Sequence, residues 1–398
     1  MATSGDQHDS NVIKIGVLTD LEGSFGIIGA DTVRGVKQAV AEFGGQVAGK
    51  RVEIVVESGD ATPNTAVAKA QKLLQQQGVD FVIGPISGDE GLAVKELARR
   101  TPDHVFINGA SAAQDFTLRN PAPNVFRFST DGAQWMAGLG SYIYDGLGYR
   151  RIATVAEDYS YPYTQVGGLM DEFCAKGGHV VQKAWVPIGT SDYGSVISAI
   201  PKDADAVYVA LGGSDAVNFL KQADQYGLTA KIIGGTSTLD QTTLSTKGQI
   251  AKQLVGTPSA GPIASDDPSP AWQKYVADYK QQFPDGLPTP GLFSEAYYVE
   301  TKAALMGLQQ VNGDLSGGQS RFAAALAHLT VDSPTGPVKL DDRRNAIAAN
   351  YVTQVKMLNG ALTNVTIRKL PAVDQTFGLP FDQYVKRAPY DRDHPTCP

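Results

Sequence analysis

The stretch Val12-Ile-Lys-Ile-Gly-Val-Leu18, followed by Asp20-Leu-Glu-Gly-Ser-Phe-Gly26 and then by Val33, Val36, Val40 and Phe43, decides how the chain is read. The first run is rich in branched side chains and suits a strand. The Gly/Ser stretch suits a loop, and the three- and four-residue spacing of the last group suits an amphipathic helix. A Gly-Gly stop at 44–45 closes that helix, and Val52-Glu-Ile-Val-Val56 begins another strand. The unit then repeats. Thr62-Pro63 opens a helix, with Thr as the cap and Pro at a first position where no hydrogen bond is lost. Its buried stripe is Ala66, Val67, Ala70, Leu73 and Leu74. Val79-Asp-Phe-Val-Ile83, a helix near 89–100 and Val105-Phe-Ile107 continue the pattern. Strands alternating with helices of this length imply crossover connections and a parallel sheet.

The rhythm restarts after Phe126-Arg127-Phe128. Helices are expected near 132–146, 163–176, 193–200 and 214–226, separated by strands at Ile152-Ala-Thr-Val-Ala156, Val180 to Val186, Ala206 to Leu211 and Ile232-Ile233. The result is an α/β protein of two similar lobes, each with a parallel-type sheet. Residues 258–270, rich in Pro, Ser and Gly, read as a linker before a helical region carrying Trp272, Tyr275 and Tyr279 and a helix from Phe293 to Gln310. A late β pattern from Tyr351 to Leu358 ends in an Asn359-Gly360 turn. Beyond it lies a Pro-rich, irregular tail packed on the surface.

Composition bounds the function. The chain has 398 residues, 42% of them apolar and 19% charged, which is ordinary globular usage and enough for two or three domains. With 34 basic and 41 acidic residues the net charge is −7, which argues against a protein built to neutralise nucleic-acid phosphates. No apolar run approaches the roughly 18 residues of a membrane span. The five histidines, His8, His104, His179, His328 and His394, show no metal-ligand spacing, so neither a metal nor a cofactor is expected. The two cysteines, Cys174 and Cys397, read as unpaired thiols. The polar start Met1 to Ser10 carries no signal peptide, as in a cytoplasmic protein or a secreted one whose leader has been removed.

Open parallel sheets bind ligands outside the carboxyl ends of their strands. Five such ends are small and polar here: Gly23-Ser24-Phe25-Gly26, Gly84-Pro-Ile-Ser-Gly-Asp89, Asn108-Gly-Ala-Ser111, Gly212-Gly-Ser-Asp215 and Gly234-Gly-Thr-Ser237. Glycines admit a ligand to the backbone, and hydroxyls with helix-starting N–H groups suit an anion. The loops contain no histidine, nucleophile elbow, phosphate loop or dinucleotide fingerprint. They offer a place to bind and no means to react, so an enzyme ranks below a binder.

These segments resemble the periplasmic solute-binding proteins of ABC transporters, in the branched-chain amino-acid-binding, type I branch. The resemblance is carried by Ile13-Lys-Ile-Gly-Val-Leu18, Arg34-Gly-Val-Lys-Gln-Ala39, Asp60-Ala-Thr-Pro63, Val82-Ile-Gly-Pro85, Val125-Phe-Arg-Phe128 with Asp131 and Gln134, Gln222 to Gly227, Ser294-Glu-Ala-Tyr297 and Thr335-Gly-Pro337, in order over about 12–360. It implies two lobes joined by three crossovers: 12–128 with 260–338, and 129–259 with 339–360. Hinge residues fall near 128–131, 257–261 and 338–341, and 361–398 forms a C-terminal extension. It also implies a periplasmic monomer with its signal peptide removed, and inner-membrane permease subunits as partners. The implied ligand contacts are Ser87, Gly88, Ala110, Ser111 and Ala112 from the first lobe and Tyr161, Gly212 and Thr236 from the second, with Ser24, Phe25 and Asp89 added from the cleft loops. Three positions depart from the family pattern: Ala112 replaces a hydroxyl, Thr236 an acid that accepts an ammonium, and Gly212 a bulky aromatic. An ammonium buried without an acid costs several kcal/mol. An aromatic or apolar-tailed carboxylate is therefore expected before a branched-chain amino acid, with Phe25, Tyr159, Tyr161 and Tyr163 as walls. Glu157, Asp158 or Asp240 are the candidates to replace the lost acid. The alternative is a ligand-sensing regulatory module of the same fold, without transport.

Overall fold

The computed structural model describes residues 11–246 and 254–397; the polar start at residues 1–10 lies outside them. Strands β1 (Val12–Thr19), β2 (Gln46–Val47), β3 (Lys50–Ser58), β4 (Phe81–Ile83), β5 (Phe106–Ile107) and β6 (Val125–Phe126) form one sheet in the order β2-β3-β1-β4-β5-β6. Only β2 runs antiparallel to its neighbour. Helices Gly26–Glu42, Pro63–Gln75 and Gly88–Arg100 make the expected crossovers. One local expectation fails. Thr62 precedes Pro63 but does not cap, because Asp60 takes both its N–H, at 3.0 Å, and its hydroxyl, at 2.6 Å. A short acidic side chain two residues upstream competes for the same groups.

The second sheet is parallel throughout, with β7 (Arg151–Glu157), β8 (His179–Val186), β9 (Ala206–Ala210) and β10 (Lys231–Gly234) in the order β10-β9-β7-β8. Helices Ser160–Ala175 and Gly213–Gln225 flank it. The helix expected near 132–146 is broken. It runs Gly132–Trp135, reverses at Gly138 (φ +85°), and resumes as Leu139–Ser141 followed by a wide π turn over Tyr142–Gly146. Glu172, reaching from helix Ser160–Ala175, takes the N–H groups of Gly138 at 2.7 Å and Ser141 at 3.0 Å, which satisfies the break. The helix expected near 193–200 is shorter, at Gly194–Ser198.

A third, antiparallel sheet holds β11 (Pro258–Gly261), β12 (Thr330–Ser333), β13 (Gly336–Leu340), β14 (Ala346–Leu358) and β15 (Ala361–Val373). Residues 258–261 are thus a buried strand on β14 rather than part of a linker, and Pro258 is tolerated at the strand's first position. Residues 361–373, placed in sequence at the start of an extension, pair with β14 from the Asn359-Gly360 turn onward, both turn residues having positive φ. Helix Leu292–Gln310 returns to the first sheet and lies along Gly26–Glu42. The approach is so close that a Cβ on Gly35 would stand 2.0 Å from the Ser294 carbonyl oxygen.

The tail crosses from one sheet's surroundings to the other's. Gln375 donates to Asp131 (2.8 Å), Arg119 donates to the Arg387 carbonyl (2.9 Å), and both Arg387 and Tyr390 bind Asp171 at 2.8 Å. The two cysteines, expected as free thiols, form a disulfide between Cys174 on helix Ser160–Ala175 and Cys397, 223 residues apart with Cα atoms 5.4 Å apart. Nothing in the local sequence of either cysteine marks the pairing; the path of the tail brings them together.

Candidate functional site

The carboxyl ends of the two parallel sheets converge on a small, ring-lined cavity. Phe25 and Ile28 follow β1, Ile86 follows β4 and Ala110 follows β5. Tyr159 and Tyr161 follow β7, Gly212 follows β9 and Ser237 follows β10, with Trp135 and Phe293 completing the wall. The rings brace one another. Centroids lie 6.3 Å apart for Phe25 and Tyr159, 6.0 Å for Tyr159 and Tyr161, and 5.7 Å edge-on for Trp135 and Tyr161. Their polar tips are tied back: Tyr161 Oη and Ser237 Oγ are 2.6 Å apart, and Trp135 Nε1 donates to Thr130 Oγ1 at 2.9 Å. Burial pushes both Tyr159 and Tyr161 above the usual phenol range, so both present neutral hydroxyls. A roomier, solvent-open depression lined by Lys231, Ile232 and Val255 to Pro258 sits at the start of β10, the wrong end of the sheet for a ligand of this fold.

Of the residues expected at the site, Phe25, Ala110, Tyr159, Tyr161 and Gly212 line this cavity. Others join the two sides to each other. The Ser24 carbonyl lies where a Cβ on Gly213 would be, 2.0 Å away. Gly88 packs on Ser160 with no room for a side chain, and Asp89 accepts the Ser160 N–H at 3.0 Å. Ser87 caps helix Gly88–Arg100: its hydroxyl accepts the Glu90 N–H while Glu90 takes the Ser87 N–H, a reciprocal capping box. The Ser111 hydroxyl is turned against Gly91, where a Cβ would be 2.0 Å from it. Ala112 gives its carbonyl to the Gly132 N–H at 2.9 Å. Thr236 accepts from Gln165 at 2.6 Å and donates to the Ala260 carbonyl at 2.7 Å, so it is Ser237 that faces the aromatic cavity. Tyr163 is no wall. Its ring meets Trp185 edge-on at 4.8 Å and its hydroxyl binds Asp158.

Sequence reading passed over Ile28, Ile86, Trp135, Ser237 and Phe293. Trp135 directly follows the Asp131/Gln134 capping box, so its neighbourhood was legible; Phe293 reaches the cavity only through the return of its helix to the first sheet. The conspicuous Arg127 is structural. Fully buried, it donates to Asn345 (2.7 Å), the Ala113 carbonyl (2.7 Å) and Thr117 (2.6 Å), with Asp131 3.7 Å away.

The three candidate acids part company. Asp158 is bound by Arg392 of the tail through both carboxylate oxygens, and by Tyr163. Asp240 receives the N–H groups of Thr242 (3.0 Å) and Leu292 (2.7 Å) and the Thr242 hydroxyl (2.8 Å). Glu157 accepts the Gly212 N–H at 3.1 Å, the Tyr159 hydroxyl and the Asp215 carboxyl act on it through hydrogen bonding, and burial holds its carboxyl well above the usual range. On the first side, burial also pushes Asp20 up to about 6, beside a Glu90 raised further by that burial and by Asp20 itself.

Comparison with known proteins agrees with this geometry. The profile of a family described as "Periplasmic binding protein" matches residues 12–361. A Leu/Ile/Val-binding protein homologue of Brucella melitensis is 23% identical over 351 residues, 87% of this chain and 88% of that protein. An ABC transporter substrate-binding protein from Sphaerobacter thermophilus superposes with a TM-score of 0.81 at 26% identity, covering 92% of this chain and 99% of the other. A solute-binding protein of an ABC transporter from Rhodopseudomonas palustris, in complex with 3,4-dihydroxybenzoic acid, superposes with a TM-score of 0.84 at 25% identity over the same shares.

Proposed function

This chain belongs to the periplasmic binding protein family, the solute-binding proteins of ABC transporters, and from that premise we propose that it captures an aromatic carboxylate and delivers it to an ABC permease. The observation that carries the reading is the ring of Phe25, Trp135, Tyr159, Tyr161 and Phe293 around one small cavity. A buried aromatic ring removes about 150–250 Å² from water, on the order of 5 kcal/mol at the usual coefficient. The dihydroxybenzoic acid in the Rhodopseudomonas relative supports the same class of ligand. The Brucella relative is named for leucine, isoleucine and valine, but an ammonium needs an acid, and Asp158 and Asp240 are already taken.

We assign the ligand's carboxylate to the first side, to the backbone of Gly88, Ser111 and Ala112, because the Ser87 hydroxyl caps its helix, the Ala110 N–H is given to the Pro85 carbonyl at 3.0 Å and the Ser111 hydroxyl, though unpartnered, is turned against Gly91. The two lobes, 12–128 with 260–338 and 129–259 with 339–360, would close on it about residues 128–131, 257–261 and 338–341. The Cys174–Cys397 disulfide suits the oxidising compartment in which such a carrier works, and among the described residues no helix is long and apolar enough to cross a membrane. Calorimetry with benzoate, hydroxybenzoates, leucine and phenylalanine, each amino acid beside its deaminated acid, tests the reading. Aromatic acids are expected to bind tightest. Amino acids binding tighter than their deaminated partners would overturn it.

A further inference from the structure

We infer that Glu157 is a specificity-determining residue that recognises a hydroxyl group on the ring of the bound acid, an inference that rests on the aromatic-carboxylate reading above. Glu157 ends β7 and is fully buried. Its Oε1 accepts the Gly212 N–H at 3.1 Å, while Oε2 is buried with no hydrogen-bond partner. A buried polar atom left in that state is unfavourable, and a ligand group arriving there would relieve it.

Gly212 makes the carboxyl reachable. It lines the aromatic cavity, and a Cβ there would stand 3.2 Å from the Phe25 ring and 3.9 Å from Glu157 Oε1. A side chain at this position would stand between the Phe25 ring and the carboxyl, and glycine leaves that space open.

The surroundings decide what Glu157 accepts. The groups that act on it are Asp215, from helix Gly213–Gln225, and Tyr159, both through side-chain hydrogen bonding, with Tyr161 and Tyr193 near enough to act by charge; no cation is among those named. Asp215 is itself occupied by the Gly189 N–H at 2.6 Å. Burial and a neighbouring carboxyl both disfavour ionisation, and in its protonated form Glu157 carries one O–H donor beside its acceptor oxygen. A phenolic hydroxyl also donates once and accepts, so the two match. An ammonium has donors only: beside a neutral Glu157 its charge would be buried without a counter-ion, and ionising Glu157 carries the desolvation cost of a buried ion pair.

The test is calorimetry of benzoate, 3-hydroxybenzoate, 4-hydroxybenzoate and phenylalanine with wild type, Glu157→Gln and Glu157→Leu, after circular dichroism confirms that each variant is folded. Wild type is expected to prefer one hydroxybenzoate over benzoate by about tenfold. Glu157→Leu should abolish that preference while benzoate stays within about threefold, and Glu157→Gln, which keeps a donor and an acceptor, should retain part of it. A merely structural Glu157 would shift both ligands together and leave their ratio intact, which overturns the inference. So does a wild type that binds benzoate and hydroxybenzoates equally. Failure of every aromatic acid to bind wild type would sink the functional reading itself, and tight phenylalanine binding lost in Glu157→Gln would make Glu157 an ammonium acceptor instead.

Discussion

The two sides of the cavity are built from the same motif, strand ends of a parallel sheet, and spend their polar groups differently. On the first side Ser87 bonds Glu90, Glu90 bonds Ser87 and Asp89 reaches across to Ser160, while Asp20, Glu90 and Ser111 each keep a buried oxygen without a partner. What faces the cavity there is apolar, Phe25, Ile28, Ile86 and Ala110. On the second side polar groups border the cavity: the Tyr161–Ser237 hydroxyl pair, the Tyr159 hydroxyl that acts on Glu157, and Glu157 itself behind a glycine. The first side supplies shape and backbone; the second supplies functional groups. An anion and an aromatic ring thus have separate places to go.

The contrast is most exposed at Tyr161. Tyr161→Ala removes a ring packed on Trp135 and Tyr159 and strands Ser237, so affinity for an aromatic acid is expected to fall by about two orders of magnitude or more. Calorimetry that finds less than a tenfold loss would place the ligand elsewhere. Next in size is the clamp on the second side's helix. Cys397→Ser releases the tail from Ser160–Ala175 and should lower stability by about 2–4 kcal/mol, read from the urea midpoint. An unchanged midpoint would mean that the noncovalent contacts to Asp171 and Asp158 hold the tail unaided.

Between the sides lies Glu295, fully buried beside Phe128, Ser129 and Thr130, with its carboxyl pushed up to about 8 by desolvation alone. A raised carboxyl contributes stability that is fully present below the unfolded value of 4.5 and is lost as pH rises through about 8. Glu295→Gln should therefore flatten the decline of melting temperature between pH 5 and pH 8, sparing on the order of 3 kcal/mol. Parallel wild-type and mutant pH profiles would contradict that burial effect. The smallest change is expected from Ser87→Ala. Losing a cap costs about 1 kcal/mol of stability, with affinity within about threefold. A tenfold loss of affinity would show that the Ser87 hydroxyl leaves its cap to hold the ligand, and the division between the sides would blur.

Local pattern determined a good deal here. The branched run Val12 to Leu18, the helical spacing after Gly26 and the Pro63 start are legible because strand and helix impose periods of two and 3.6 on neighbouring residues. The Gly/Ser loops at strand ends are legible for the same reason, which is why Phe25, Ala110, Tyr161 and Gly212 were within reach. Tertiary structure alone decided which hydroxyls are free. Ser87 and Ser111 look equally ready in sequence, and only packing gives one to Glu90 and leaves the other unpartnered against Gly91. It also decided that Glu172 breaks a helix more than thirty residues upstream, that Pro258 to Gly261 joins a sheet, and that Cys174 meets Cys397. Each of these joins residues far apart in the chain, and short-range propensity carries no information about such meetings. The cavity is the extreme case: Phe25 and Phe293 share one wall because helix Leu292–Gln310 returns to lie along Gly26–Glu42, a contact that exists only once the whole chain has folded.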